Sequence, residues 1–230
     1  IASYVMPYIP NGATIQLGIG GLANAIGYRL ENHRNIKVFT EMLTESMIEL
    51  YEKRVVKEKM IACFALGNRR LYEFCNNNDM VELWQLPDLC NPVEIGKRDN
   101  FISVNTCLMV DFVGQVASEQ IGSRIVSCTG GASDTVRGAR MSKGGRSFIC
   151  VASTYTTKDG EVRSNIVSTL PPYTPVSVQR TDVDAIVTEF GIAELYCRSN
   201  EERVAALINI AHPDFREGLK EEARKLNMLR

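Results

Sequence analysis

The chain has 230 residues, of which 45% are hydrophobic, so it can bury the core of one large α/β domain or of two small ones. Its 26 basic and 27 acidic residues leave a net charge of −1, which gives no electrostatic basis for binding nucleic acid or an anionic membrane. No apolar run approaches the roughly 20 residues of a membrane span.

The cysteines and histidines argue against a metal centre. Seven cysteines are present, their number is odd, and none forms a Cys-x-x-Cys pair. Reduced thiols in an intracellular protein are therefore favoured over disulfides or zinc, and we expect a cytoplasmic location. Only two histidines, His33 and His212, are available for a histidine-based metal site or catalytic triad. The first residue is Ile1, which suggests a fragment or processed chain and leaves a mitochondrial location open.

The chain is organised around the stretch from Gly12 to Thr44. Ala13–Leu17 predicts a strand, Gly18–Gly21 a glycine turn, and Leu22–Leu30 a helix. Ile36–Thr40 predicts a second strand, with Glu41 where that strand should end. Ligands of open α/β sheets bind outside the carboxyl ends of strands, so the glycine turn and Glu41 should share one edge.

Two functional interpretations fit this stretch. Gly18, Gly20 and Ala23 match the G-x-G-x-x-G/A pattern of dinucleotide binding, and Glu41 stands where a ribose-binding acid would. Alternatively, Glu41 is a carboxylate nucleophile and the N–H groups of the turn bind an anion or oxyanion. A tight turn with no ligand is the third possibility. Spacing alone does not separate them.

The next segments continue the alternation of strands and helices. A helix from Thr44 to Lys53, a strand over Met60–Leu66, a helix capped by Asn68 and a strand over Met80–Leu86 complete a βαβαβαβ order. Short connections in this order are typical of a parallel sheet with crossover helices. Pro87 and Pro92 predict an exposed loop.

The pattern then changes to short strands, which predict a β-meander over Phe101–Asn105, Leu108–Phe112 and Gly114–Ala117. Further segments are predicted in chain order: a strand over Ile125–Cys128, a second glycine turn over Thr129–Ser133, a helical turn over Asp134–Ala139, a strand over Arg146–Ala152, a hairpin turn at Asp159-Gly160, a last strand over Asp184–Phe190, and two helices, the first opened by a capping box at Ser199–Glu202. The predicted fold class is α/β: an open, mainly parallel sheet with crossover helices plus a small β-meander.

Six motifs in order carry a resemblance to a known family: Gly18-Ile-Gly-Gly21, Thr40-Glu-Met42, Gly130-Gly-Ala-Ser-Asp134 with Arg137-Gly-Ala139, Ser142-Lys-Gly-Gly145, Val187-Thr-Glu-Phe-Gly191 and Ala211-His-Pro-Asp-Phe-Arg216. Together they resemble the acetyl-CoA hydrolase/transferase family, which includes 4-hydroxybutyrate and butyrate:acetate CoA-transferases. The similarity spans nearly the whole chain but only the C-terminal half of a typical member. It implies that residues 1–230 form a single C-terminal catalytic domain whose N-terminal partner domain is absent from this chain.

The resemblance also implies roles for particular residues. Glu41 matches the catalytic glutamate that becomes a γ-glutamyl-CoA thioester. The residues that match CoA-binding and substrate-binding positions are Gly18, Ile19, Gly20, Gly21, Leu22, Gly130, Gly131 and Lys143. CoA and acyl-CoA are then substrates, a carboxylic acid is the second substrate, and no cofactor is bound permanently. A homo-oligomer is expected, and a metal, nucleic acid or membrane partner is not.

Several alternatives remain open at this point. Ala23, Phe39 and Met109 depart from the residues common in the family, which puts the acyl acceptor in doubt but not the reaction class. Acyl-CoA hydrolysis and a citrate-lyase-type α chain are alternatives within the resemblance. An NAD-dependent oxidoreductase is the alternative from a different enzyme class. Glu189 lies in a family motif, yet structural hydrogen bonding at a strand end is the interpretation that we favour for it.

Overall fold

The computed structural model describes residues 1–229, which form two compact units built from separate stretches of the chain. The sheet unit consists of residues 2–105 and 134–148. The mixed unit consists of residue 1, residues 106–133 and residues 149 onwards. The predicted glycine turn and Glu41 both belong to the sheet unit, so its architecture decides how they are placed.

The helices and strands alternate closely in the first half of the chain. The helices are α1 (Ala2–Val5), α2 (Gly21–Arg29), α3 (Glu45–Glu52), α4 (Arg69–Cys75), α5 (Leu86–Leu89), α6 (Pro92–Gly96), α7 (Ala132–Met141), α8 (Asn200–Asn209) and α9 (Pro213–Lys225), with two short 3₁₀ turns at Met6–Tyr8 and Leu30–Asn32. The strands are β1 (Thr14–Leu17), β2 (Lys37–Leu43), β3 (Met60–Ala65), β4 (Val81–Leu83), β5 (Phe101–Thr106), β6 (Met109–Asp111), β7 (Val116–Ala117), β8 (Gln120–Ile121), β9 (Arg124–Ile125), β10 (Arg146–Cys150), β11 (Thr154–Thr156), β12 (Val162–Ser164), β13 (Ile166–Val167), β14 (Ala185–Thr188) and β15 (Gly191–Glu194).

The sheet unit is built on parallel strands with helices on both faces. β1 pairs in parallel with β2 and with β5, and β3 joins β2 to β4, also in parallel. On one face, Leu17 of β1 packs against Gly27 of α2, which in turn lies against Ser46 of α3. On the other face, Phe39 forms a core cluster with residues of α5, α6 and α7. The predicted βαβαβαβ order and the mainly parallel sheet are confirmed.

Some predicted elements were placed wrongly. Phe101–Asn105 is not part of a meander, because β5 pairs in parallel with β1 in the main sheet. The predicted strand over Met80–Leu86 ends at Leu83, since Pro87 lies in the first turn of α5. Pro92 likewise begins α6, so both prolines occupy positions where their missing N–H costs nothing. The predicted loop between them is reduced to Cys90 and Asn91.

The mixed unit contains short antiparallel pairs and two helices. β6 pairs with β7, β8 with β9, β11 with β12 and β14 with β15, so the strand predicted as the last one is followed by another. The Ser199 side chain accepts from the Glu202 N–H, which confirms the capping box at the start of α8. The Thr188 hydroxyl donates to the Ile210 carbonyl at 2.6 Å and ties β14 to the end of α8.

Within residues 1–229, the structure contains no helix that combines the length and the apolarity needed to cross a membrane.

Arg203 is the buried cation of the mixed unit, with 7% of its surface exposed. Its guanidinium donates to the carbonyls of Val113 at 3.1 Å, Arg180 at 2.9 Å and Arg198 at 3.3 Å. These three acceptors belong to separate segments, so one side chain satisfies backbone groups that lie far apart in sequence.

We expect Arg203→Lys to lower the free energy of unfolding by about 1–3 kcal/mol, because a lysine cannot reach all three carbonyls and leaves buried acceptors unpaired. Urea denaturation would measure the change. The matched control is Arg198→Lys, since Arg198 forms an exposed surface pair with Glu202 and its replacement should cost less than about 1 kcal/mol. Equal effects of the two variants would contradict this role of Arg203.

Candidate active site

The carboxyl ends of β1 and β2 are joined by the hydroxyl of Thr40. Its Oγ1 accepts from the Leu17 N–H at 3.2 Å and lies 3.2 Å from the carbonyl oxygens of Leu17 and Met42. Thr40 is completely buried. The residue after Leu17 is Gly18, and the residue after Thr40 is Glu41. These hydrogen bonds of Thr40 therefore hold the start of the glycine turn beside Glu41, the candidate nucleophile.

The register of the strands places Glu41 in one row with Gly18. Ile15 pairs with Val38, so Gly18 stands level with Glu41, and Leu17 pairs with Val104, so Asn105 stands level with Gly18 on the other side. Side chains of one row in a parallel sheet point to the same face. Gly18 therefore leaves a gap in the row between Asn105 and Glu41. Glu41 lies inside β2, which continues to Leu43, and not at the strand end as predicted.

The glycine turn supplies backbone N–H groups at the same edge. The Gly18 N–H donates to the Val104 carbonyl at 2.7 Å, so it belongs to the sheet and does not face a ligand. Gly20 has φ of +125°, a conformation that favours glycine. Gly21 begins α2, and first-turn N–H groups have no acceptor within their own helix. Ile19 in this turn is 58% exposed. The candidate donors for an anion are consequently the first-turn N–H groups of α2.

Two half-buried thiols lie close to Glu41. Cys63 stands level with Glu41 on β3, because Thr40 pairs with Ala62 and Met42 with Phe64. Burial and then the negative charge of Glu41 raise the pKa of the Cys63 thiol. Burial raises the pKa of Cys90 to about 12, with further contributions from Glu41, Cys63 and Asp134. Both shifts favour the protonated thiol over the reactive thiolate.

The structure brings together only part of the predicted site. Gly18, Ile19, Gly20, Gly21, Leu22 and Glu41 share the carboxyl edge of the sheet unit. Lys143 lies at the opposite end of that unit, where its carbonyl accepts from the Asn100 N–H just before β5 begins. Gly130 and Gly131 belong to the mixed unit, Gly130 exposed and Gly131 buried.

Sequence reasoning missed three residues near Glu41, namely Asn105, Cys63 and Cys90. A signal for Asn105 was present, since Ser103 and Asn105 alternate with apolar residues in a strand whose burial is nearly complete. Cys63 and Cys90 have no local signal in the sequence. A buried cysteine has the same apolar neighbours in sequence whether or not it lies near the site.

Glu189 has the structural role that we favoured. Its carboxylate accepts from the Ser153 N–H at 3.0 Å and from the Ser153 hydroxyl at 2.5 Å. Burial would raise the pKa of Glu189, but these hydrogen bonds outweigh it and the pKa lies below its usual value.

Among the described residues, no group of three or more histidine, cysteine, aspartate or glutamate side chains could hold a metal ion.

Comparison with known proteins identifies the family. Residues 67–223 match the model of the acetyl-CoA hydrolase/transferase C-terminal domain. The chain therefore belongs to the acetyl-CoA hydrolase/transferase family, as the six motifs indicated. Membership of this family argues against the dinucleotide interpretation of the glycine turn.

Similar proteins include two curated CoA-transferases. Succinyl-CoA:cyclohexane-1-carboxylate CoA transferase of Geobacter metallireducens is 41% identical over 100% of this chain and 54% of its own length. The 4-hydroxybutyrate coenzyme A transferase of Clostridium kluyveri is 41% identical over 94% of this chain and 52% of its own length. The chain thus spans about half the length of the curated relatives that it matches.

A solved structure shows the same fold. RipA from Yersinia pestis superposes with a TM-score of 0.92 at 33% identity, covering 99% of this chain and 52% of that protein. The parallel sheet and the small antiparallel sheets are therefore features shared with a solved structure of about twice the length.

The raised pKa of Cys90 leads to a prediction on alkylation. At pH 8, iodoacetamide should label the exposed Cys128 and Cys197 in the folded protein and leave Cys90 unlabelled, because the thiolate is the reactive species. Peptide mass spectrometry after a timed reaction would measure the labelling, and denaturant should make all seven cysteines reactive. Labelling of Cys90 as fast as Cys197 in the folded protein would contradict the assignment.

The gap at Gly18 leads to a second prediction. A Cβ at this position would lie 2.8 Å from Asn105 Oδ1 and 3.2 Å from the Val104 carbonyl oxygen. Gly18→Ala should therefore lower the free energy of unfolding by about 1–3 kcal/mol, the usual cost of overpacking. Gly218→Ala is the control, because nothing lies within 4 Å of its Cβ and an alanine in helix α9 should stabilise by roughly 0.5–1 kcal/mol. A neutral Gly18→Ala in urea denaturation would show that Asn105 and Val104 do not crowd this position.

Proposed function

We propose that the intact protein containing this chain transfers CoA between an acyl-CoA and a carboxylic acid, with Glu41 as covalent nucleophile. The observation that carries the proposal is the row at the carboxyl ends of β1 and β2, in which Glu41 stands level with Gly18, a residue that has no side chain of its own. Because position 18 is a glycine, β1 places no side chain of its own beside the Glu41 carboxylate. The names of the similar transferases support the same reaction class.

The reaction needs no base, metal or redox partner. A glutamate has an unperturbed pKa of about 4.3 and is ionised at neutral pH. The Glu41 carboxylate attacks the acyl-CoA carbonyl, which forms a mixed anhydride and releases the CoA thiolate. The thiolate attacks the glutamyl carbonyl, expels the acyl group as a carboxylate and forms a glutamyl-CoA thioester. An incoming carboxylate then reverses these two steps, so ping-pong kinetics follow.

Each attack passes through a tetrahedral oxyanion. The N–H groups at Gly20, Gly21 and Leu22, at the positive end of α2, are placed at the edge where this charge develops. Loss of one such donor costs about 10²–10³ in rate in comparable acyl transfers. The turn therefore stabilises the transition state, and Gly18 contributes space without a donor.

The remaining parts of the proposal concern the whole protein. CoA and acyl-CoA act as substrates, and no cofactor is bound permanently. Gly130 and Gly131 supply a second CoA-binding turn. Residues 1–230 serve as the C-terminal catalytic domain beside an N-terminal partner domain, and the protein is a cytoplasmic homo-oligomer. Lys143 remains a proposed CoA contact, although its own unit places it at the end of the sheet opposite Glu41.

Borohydride trapping tests the nucleophile. Incubation of the intact protein with acyl-CoA and no acceptor should leave CoA on Glu41, and borohydride should reduce that thioester to an alcohol and inactivate the protein. Peptide mass spectrometry should place the change between Lys37 and Lys53. Glu41→Gln should abolish the adduct, and Glu41→Asp should lower kcat by about 10², since misplacement by roughly 1 Å is that costly.

The matched control is Glu49→Gln, which removes a carboxylate that lies 3.9 Å from Lys53 on α3. It should leave both adduct formation and kcat near the values of the unmodified protein. The proposal is wrong if Glu41→Gln still transfers acyl groups at a normal rate, or if the adduct is found on another peptide.

A further inference from the structure

A ring of buried polar side chains lies next to Glu41 on the same face of the sheet. Ser103 Oγ donates to Gln16 Oε1 at 2.8 Å, and Asn105 Nδ2 donates to Ser103 Oγ at 3.0 Å and to Thr135 Oγ1 at 3.2 Å. Gln16 Nε2 lies 3.5 Å from Asn105 Oδ1 and closes the ring. None of the four residues is more than 6% exposed. Buried polar groups are costly unless each is paired, and a ring that pairs them holds its side chains in one arrangement.

The ring fixes the direction of the Asn105 carboxamide. Both hydrogens of Nδ2 are directed to hydroxyl oxygens, and Oδ1 therefore points the other way. It lies 2.8 Å from the position that a Cβ would occupy at Gly18. The carboxamide of Asn105 thus fills the gap in the row, one strand spacing of about 4.8 Å from the strand that bears Glu41.

The surroundings of Asn105 would hold water if the side chain were absent. Ser103 Oγ, Thr135 Oγ1 and Gln16 Nε2 all bond to the carboxamide, so its removal would leave a polar hole with three partners. A hole with two to four polar partners and room for one probe sphere is the kind that takes up a water molecule. That water would lie in the row of Asn105, Gly18 and Glu41.

We propose that Asn105 is a positioning residue that excludes water from this side of Glu41 and so preserves the glutamyl-CoA thioester for transfer to a carboxylate. This inference rests on the proposed function. Water attacking the glutamyl carbonyl would release CoA, regenerate the Glu41 carboxylate and turn the transferase into a thioester hydrolase. Sealing a site against water suppresses this kind of side reaction.

The decay of the covalent adduct tests the inference. The intact protein is loaded with acyl-CoA, freed of excess ligand, and left without an acceptor while CoA release is followed. Asn105→Ala should shorten the lifetime of the adduct by roughly tenfold or more and raise the ratio of hydrolysis to transfer by a similar factor. A first-order decay rate does not depend on how much of a variant folds.

Ser46→Ala is the control for a merely structural effect. It removes a buried hydroxyl that lies 3.0 Å from Thr44 Oγ1 on the opposite face of the sheet, so it should lower the melting temperature and leave the adduct lifetime unchanged. The inference is overturned if Ser46→Ala and Asn105→Ala shorten the lifetime equally, if Asn105→Ala leaves it unchanged, or if Asn105→Ala forms no adduct. Failure of the proposed function is a separate outcome, because the unmodified protein would then form no adduct.

Discussion

The hydrogen bonds between Thr40 and Leu17 fix the geometry on which the candidate site depends. They join β1 and β2 one residue before Gly18 and Glu41, so a shift of either strand would separate the glycine turn from the carboxylate. Because the side-chain period of a strand is two, a slip by one residue would also turn Glu41 to the opposite face. A buried hydroxyl that bonds both backbone groups of Leu17 allows no such slip. The placement of the glycine turn beside Glu41 therefore follows from this register.

The environment of Glu41 favours a carboxylate over a thiolate as the nucleophile of the proposed reaction. A thiolate beside an acyl-CoA would exchange thioesters and leave the protein acylated on sulfur. Burial and then the charge of Glu41 raise the pKa of the Cys63 and Cys90 thiols, which disfavours the thiolate at both positions. The carboxylate that we propose as the nucleophile therefore also disfavours thiolates beside it. A carboxylate is also the better choice chemically, since it is ionised at neutral pH and needs no activating base.

The sequence predicted the β1–turn–α2–β2 segment well because each part has a local signal: apolar periodicity, a glycine turn and short connections. Strand partners have no such signal. Phe101–Asn105 was predicted as a meander strand, but β5 pairs with β1 in the main sheet. The burial of Asn105 depends on that pairing. The sequence around Lys143 likewise predicts a glycine-rich loop without indicating where that loop lies. Its position at the amino end of β5 depends on topology and not on composition.

The family name covers both hydrolases and transferases, and in the proposed mechanism the covalent intermediate is common to both reactions. The nucleophile and the oxyanion donors therefore cannot decide between them, because each is needed for either product. What decides is whether water or a carboxylate reaches the glutamyl carbonyl first. Water is far more concentrated than any cellular carboxylate, so a transferase must exclude it by packing. Polar residues around a gap would invite water, unless one of them fills the gap itself. Asn105 does so over Gly18, with every hydrogen of its amide already bonded.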